Sequence, residues 1–219
     1  SIAVWLGIIS GVLYLGGFVL FQHNTAKNGI VLSSVFMKLG LLVPVVMSMV
    51  LFREAPTANQ IAGFCIAVLA IVLINLKKDT SDKDFGWGLI LMLLMCGGSD
   101  AMSKVYERMG SAALSDSYLF FTFAVASVLC LVLVLCKKEK PGFREFLFGS
   151  LIGIPNFFSA KFLLKALTTL PAVVVYPSFS VATLLIVTLA GIAVFRERLN
   201  KLQWIALAAI VAALIFLNV

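Results

Sequence analysis

Eight apolar runs, each about 18–25 residues long, follow one another along this chain with only short polar connections between them. A run of that length, coiled as an α-helix, crosses a hydrocarbon core of roughly 30 Å. The runs cover approximately 2–21, 29–52, 59–76, 86–105, 115–136, 145–165, 171–195 and 201–218. Strands of a membrane barrel would be about half as long and would alternate strictly, and backbone in lipid must satisfy its own polar groups, so helices are the form expected. The longest connections are the polar stretches 77–84 and 137–142, and no soluble domain is inserted. The chain starts at Ser1 inside an apolar run, with neither a basic leader region nor a cleavage site, so no signal peptide is read and the start looks trimmed.

Composition agrees. Charged residues make up 12% of the chain and hydrophobic ones 62%, whereas a soluble domain carries about 25% charged residues. The net charge of +7 would raise nucleic acid as a partner in a soluble protein. Here the Lys and Arg residues lie mostly between apolar runs and read as anchors facing lipid headgroups, so no nucleic-acid partner is expected. The four cysteines (Cys65, Cys96, Cys130, Cys136) have no metal-ligand spacing, and no metal or cofactor is expected. Gly7/Gly11 and Gly149/Gly153 both have G-x-x-x-G spacing, which lets helix backbones approach closely in lipid.

Residues 5–76 align with 147–219. Gly7 and Gly11 fall on Gly149 and Gly153; after a one-residue gap, Phe52-Arg53-Glu54 falls on Phe195-Arg196-Glu197, Gln60 on Gln203 and Asn75 on Asn218. An odd number of helices separates the two F-R-E corners, so they lie on opposite faces of the membrane and the two copies are inverted, as in many secondary transporters. The second copy has two further helices ahead of its aligned part. On this reading 1–76 holds the last three helices of a first repeat, 77–85 is a polar linker, and 86–219 is a complete five-helix second repeat. A full first copy would need about 60 more residues for two helices, ten in all; a genuine eight-helix protein is the alternative.

Five-helix inverted repeats, with a helix ending F-R-E-R-L before a Q-x-x-x-hydrophobic helix, resemble the EamA-type proteins of the drug/metabolite transporter superfamily. The resemblance runs through Asn156, Leu163–Leu167, Leu170-Pro171-Ala172, Tyr176-Pro177 and Phe195–Leu199. It implies an all-α protein with a central cavity between the repeats, lined by Asn156, Ser159, Tyr176 and Ser178 from the second and by Ser33, Ser34 and Lys38 from the first. It does not name the solute.

An ionisable group at bilayer depth is costly and therefore a functional suspect. Lys38 lies about ten residues into the second run and could attract an anionic group or carry a proton; the other reading is a lysine that snorkels or pairs structurally. Its counterpart in the other repeat is Val181, so the fold does not require it twice. Asp100 sits one helical turn before Lys104, and the two are expected to pair on one helix face. Lys161 is read as deeper than Lys165, which is an interface anchor. The F-R-E residues and the glutamines are read as structural. Pro44, Pro155 and Pro177 fall inside helices and free carbonyls there.

The expected function is secondary transport of a small solute (an amino acid, nucleoside, sugar or drug-like molecule) by alternating access, with protons as a candidate coupling ion. No G-x-x-x-x-G-K-[ST] loop is present to use ATP. The alternatives are an intramembrane enzyme, for which no nucleophile–base pair or metal set is visible, and an accessory membrane subunit. A multi-pass protein of a cell membrane, the bacterial inner or plasma membrane, is expected. The excess of Lys and Arg on one face and the orientation implied by the resemblance disagree, and the sequence leaves orientation open.

Overall fold

A computed structural model describes residues 2–28, 30–75, 87–138, 142–195 and 201–218. Among these residues the chain is helical, with α1 (Ile2–Asn28), α2 (Ile30–Leu39), α3 (Leu42–Leu51), α4 (Ala58–Asn75), α5 (Trp87–Met109), α6 (Ser115–Cys136), α7 (Phe143–Leu167), α8 (Ala172–Phe195) and α9 (Lys201–Asn218); a short 3-10 turn, Ala112–Leu114, leads into α6. The protein is a multi-pass helical membrane protein. Taken together, α2 and α3 fill the second expected crossing; among the described residues five spans are long and apolar enough to cross a membrane, and Ala58–Val72 and Ala172–Ile186 are shorter apolar stretches. The 77–85 linker, Arg196 and Glu197 lie outside the described residues, as do the side chains of Phe195 and Gln203.

The second crossing breaks at Gly40-Leu41 because of Pro44. Without an N–H, Pro44 cannot bond the Gly40 carbonyl. Val43 takes that carbonyl instead at 3.0 Å, and Gly40 and Leu41 bond back three residues, to Met37 and Lys38. These tighter bonds bend the chain just past Lys38. A Cβ on Gly97 of α5 would lie 2.3 Å from the Gly40 oxygen, so the bend rests backbone against backbone on α5.

Two helices outrun their apolar runs. The first continues to Asn28 because its late polar residues face inward: Asn24 donates to Leu20 O (2.8 Å) and to Gly88 O of α5 (3.0 Å), and Asn28 donates to Asn24 at 3.4 Å. The fifth continues to Met109 because Lys104 and Tyr106 are buried at its end.

The corner after α3 shows what F-R-E-x5-Q builds in the first copy. Arg53 adopts a left-handed backbone (φ 51°), at a cost of about 1 kcal/mol or more for a residue with a side chain. The Glu54 N–H returns to Ser48 O at 3.3 Å. Gln60 then closes a capping box on α4: it accepts the Thr57 N–H (3.1 Å) while the Thr57 hydroxyl accepts the Gln60 N–H (3.3 Å).

Packing follows the small residues. A Cβ on Gly7 would lie 2.9 Å from Tyr118 O and one on Gly11 2.5 Å from Thr122 O, which seats α1 directly on the backbone of α6. The pair Gly149/Gly153 in α7 meets nothing within 4 Å. One core joins α3, α4, α8 and α9 around Val45, Ile71, Val173 and Leu217; another joins α1, α5, α6 and α7 around Ala3, Tyr106, Tyr118 and Leu164. Large apolar side chains such as Trp5, Val50, Trp87, Phe120 and Phe146 point outward. Lipid accommodates such a surface and water does not.

Candidate functional site

A cavity of about 290 Å³ opens where α1, α2, α5, α7 and α8 meet. Lys38 enters it from α2, Asp100 from α5, Asn156 from α7 and Tyr176 from α8. Tyr176 is buried, and its hydroxyl donates to the backbone carbonyl of Asp100 at 2.7 Å, tying α8 to α5 beside the cavity. The Asn156 amide donates to the Tyr14 hydroxyl of α1. Ser99 is held by Ser10 (Oγ–Oγ 3.3 Å), which also accepts the Tyr118 hydroxyl at 3.2 Å. These bonds fix the walls. Among the described residues the side chains of Lys38 and Asp100 form no ion pair and no hydrogen bond, although each feels the other's charge.

Several sequence expectations fall elsewhere. Ser33 is fully buried away from the cavity: five residues before Lys38, it sits about 140° round the helix. Ser34 shares the face of Lys38 but lies a turn beyond the cavity. Ser159 and Ser178 line a separate, mostly apolar groove between α7 and α8, because Ser178 points roughly opposite to Tyr176. The expected Asp100–Lys104 pair does not form. Lys104, 1% exposed, extends away from Asp100 to Glu54 (2.7 Å) and Glu107 (2.8 Å). Nor is Lys161 deep: its side chain is 46% exposed and pairs with Asp116 at 2.8 Å near the start of α6. Tyr14 and Ser180 were missed, being single polar residues in apolar runs.

Beyond the cavity, toward the C-terminal end of α5, the acids and bases are all engaged. Glu54 accepts from Lys104, from Arg108 (2.7 Å) and from the backbone N–H of Ala172 (3.0 Å), the first residue of α8. Burial pushes the Glu54 carboxyl up, but these donors outweigh it and hold the group below its usual range. Among the described residues no three His, Cys, Asp or Glu side chains gather as metal ligands.

Residues 86–219 match the model of the EamA-like transporter family. The chain belongs to that family. Its membership places it among membrane proteins that carry small solutes. An uncharacterized protein of Haemophilus influenzae is 23% identical to this EamA-like chain over 203 residues, covering 90% of this chain and 69% of that one. A solved crystal structure superposes with a TM-score of 0.70 at 16% identity, over 99% of this chain and 77% of its own, and bears out the fold.

Proposed function

We propose that this EamA-like protein is a secondary transporter of a cell membrane, which moves a small solute by alternating access between two inverted repeats. The observation that carries this reading is the pairing of Tyr14 with Asn156. A step of 142 residues separates Gly7 from Gly149, and the same step separates Tyr14 from Asn156. Two equivalent positions that bond each other lie close to a pseudo-twofold axis, and this contact lies in the cavity wall. Ala70 and Ala213, also equivalent, share one fully buried cluster of α4, α8 and α9. A solute bound there touches both repeats, as a site that faces each side in turn must do.

Lys38 is the cavity cation in this scheme and Asp100 its counter-charge, with Asp100 the residue best placed to exchange a proton if transport is proton-coupled. The test is solute counterflow in proteoliposomes loaded with amino acids, nucleosides and sugars. Saturable exchange by the wild type, lost in Lys38→Ala, supports the proposal. Hydrolysis or group transfer in detergent without any flux would overturn it, and undiminished flux in Lys38→Ala would remove Lys38 from the mechanism.

A further inference from the structure

We infer that a second cavity, at one membrane surface, binds the headgroup of an anionic phospholipid, a phosphodiester with one net negative charge. This cavity, of about 400 Å³, lies between the end of α5, the start of α6 and the end of α7, and shares no residue with the one that holds Lys38 and Asp100. The sequence sets its depth. The apolar run that forms α6 begins at Ser115 and the one that forms α7 stops at Lys165. Both residues line the cavity, which places it at the level of lipid headgroups. Tyr106, Leu119 and Leu164, all buried, back it. Lys161 and Lys165, one helical turn apart on α7, supply its positive charge.

The ion pairs around this cavity leave one cation over. Glu107, which lines it, and Glu54 are taken by Lys104 and Arg108, and Asp116 by Lys161. Among the described residues Lys165 has no anionic partner. One negative charge balances the group, and a headgroup that is neutral overall leaves the excess in place. Two hydroxyls select further. Ser115 donates to Ala112 O (2.9 Å) and Thr168 to Lys165 O (2.7 Å), so their protons are spent and their oxygens can only accept. They suit a headgroup that carries its own hydroxyl donors, such as glycerol, and have nothing to offer choline.

The surface leading into the cavity distinguishes a lipid from a free anion. Ile154, Phe158 and Phe162 precede Lys161 and Lys165 on one face of α7, at spacings of three, four and seven residues, and each is half exposed or more. An acyl chain along this stripe delivers its phosphate to the two lysines, whereas a soluble phosphate gains nothing from it. Among the described residues Lys161–Asp116 is the one ion pair that joins α7 to another helix. A lipid seated here adds a second tie between α7 and the α5–α6 pair, so its binding stabilises the fold.

The experiment uses the whole protein, purified in detergent, with its melting temperature followed as lipid is added. Short-chain phosphatidylglycerol is compared with phosphatidylcholine and phosphatidylethanolamine of the same chain length, and with glycerol phosphate, which has the charge but no chains. Saturable stabilisation by phosphatidylglycerol is expected, at an apparent affinity about fivefold or more above that of the other two lipids, the factor that one lysine supplies at a membrane surface. Glycerol phosphate should have no effect. Lys165→Gln should lower the phosphatidylglycerol affinity about fivefold and Lys165→Arg should keep it. Lys137→Gln, exposed at the other end of α6, should change nothing. The wild-type lipid series alone decides the matter if a variant fails to fold. Three results would each overturn the inference. Equal stabilisation by the three lipids would remove the charge preference. Glycerol phosphate acting as well as the lipid would make the ligand a soluble anion. Equal losses in Lys137→Gln and Lys165→Gln would reduce the effect to attraction by surface charge at large.

Discussion

The carboxylate of Glu54 accepts the backbone N–H of Ala172 at 3.0 Å, so a corner in the first half of the chain caps a helix in the second. The first turn of α8 has N–H groups with no partner inside the helix, and an anion there is favoured by the helix dipole. The same carboxylate takes Lys104 and Arg108 of α5. One side chain thus joins α3, α5 and α8 at one end of the cavity.

Replacing Glu54 by Ala leaves Lys104 buried with half of its partners gone and the α8 N-terminus uncapped. Breaking a buried ion network in this way costs about 3–5 kcal/mol. A fall of several degrees in the melting temperature of the detergent-solubilised protein is expected, with a smaller fall for Glu54→Gln, which keeps an acceptor for Ala172. Asp116→Asn breaks a pair whose side chains are 46% and 68% exposed, and a change within about 0.5 kcal/mol is expected. Equal effects at the two sites would show that burial does not set the strength of these pairs.

The depressed titration of Glu54 gives a pH signature. The folded protein favours its ionised form, so this contribution to stability is complete above the carboxyl's unfolded pKa, about 4.5. It is lost as pH falls through the lower folded value. Melting temperatures measured from neutral pH downward should therefore drop more steeply on the acid side for wild type than for Glu54→Gln. Parallel curves would mean that Glu54 titrates alike in the folded and unfolded chain.

Glycine replacements separate packed stripes from bare ones. Gly97→Ala would put a methyl 2.3 Å from Gly40 O, and Gly11→Ala one 2.5 Å from Thr122 O; because both obstacles are backbone, helices must separate. Loss of a monodisperse peak in size-exclusion chromatography is expected for each. Gly149→Ala meets nothing within 4 Å and should be neutral or stabilise by up to about 1 kcal/mol through helix propensity. A reversed ranking would place the close approach on α7.

Tyr14→Phe removes the acceptor for the Asn156 amide, and Asn156→Ala removes the donor. A double-mutant cycle on thermal stability should show a coupling of about 1 kcal/mol, since the groups share one bond inside the bundle. Additive single effects would mean that the contact contributes nothing.

The multi-pass helical fold was legible because lipid demands long apolar helices, and the family because F-R-E-x5-Q occurs twice. What escaped was set by direction. Nothing in the sequence says that Lys104 turns from Asp100 toward Glu54, since a helical spacing of four fixes a shared face but not which way a long side chain reaches. Asn24 and Asn28 read as loop residues because the contact that anchors the first of them, to the Gly88 carbonyl, lies some sixty residues away in sequence. Lys38 and Asp100 were visible as lone charges in apolar runs. Ser33 and Ser178 were misplaced by the rotation of a helix, which a local apolar pattern on all sides does not define.

The contact between Gly40 and Gly97 links the two charges mechanically. Lys38 lies two residues before the first glycine and Asp100 three after the second, and the backbones between them touch. If α2 rocks during a transport cycle, α5 has to travel with it or open a gap that lipid cannot fill. The distance between cation and anion then stays nearly constant through the stroke. On the transport proposal, a bound solute would then meet the same spacing of charges throughout, and its release would depend on water arriving to replace them.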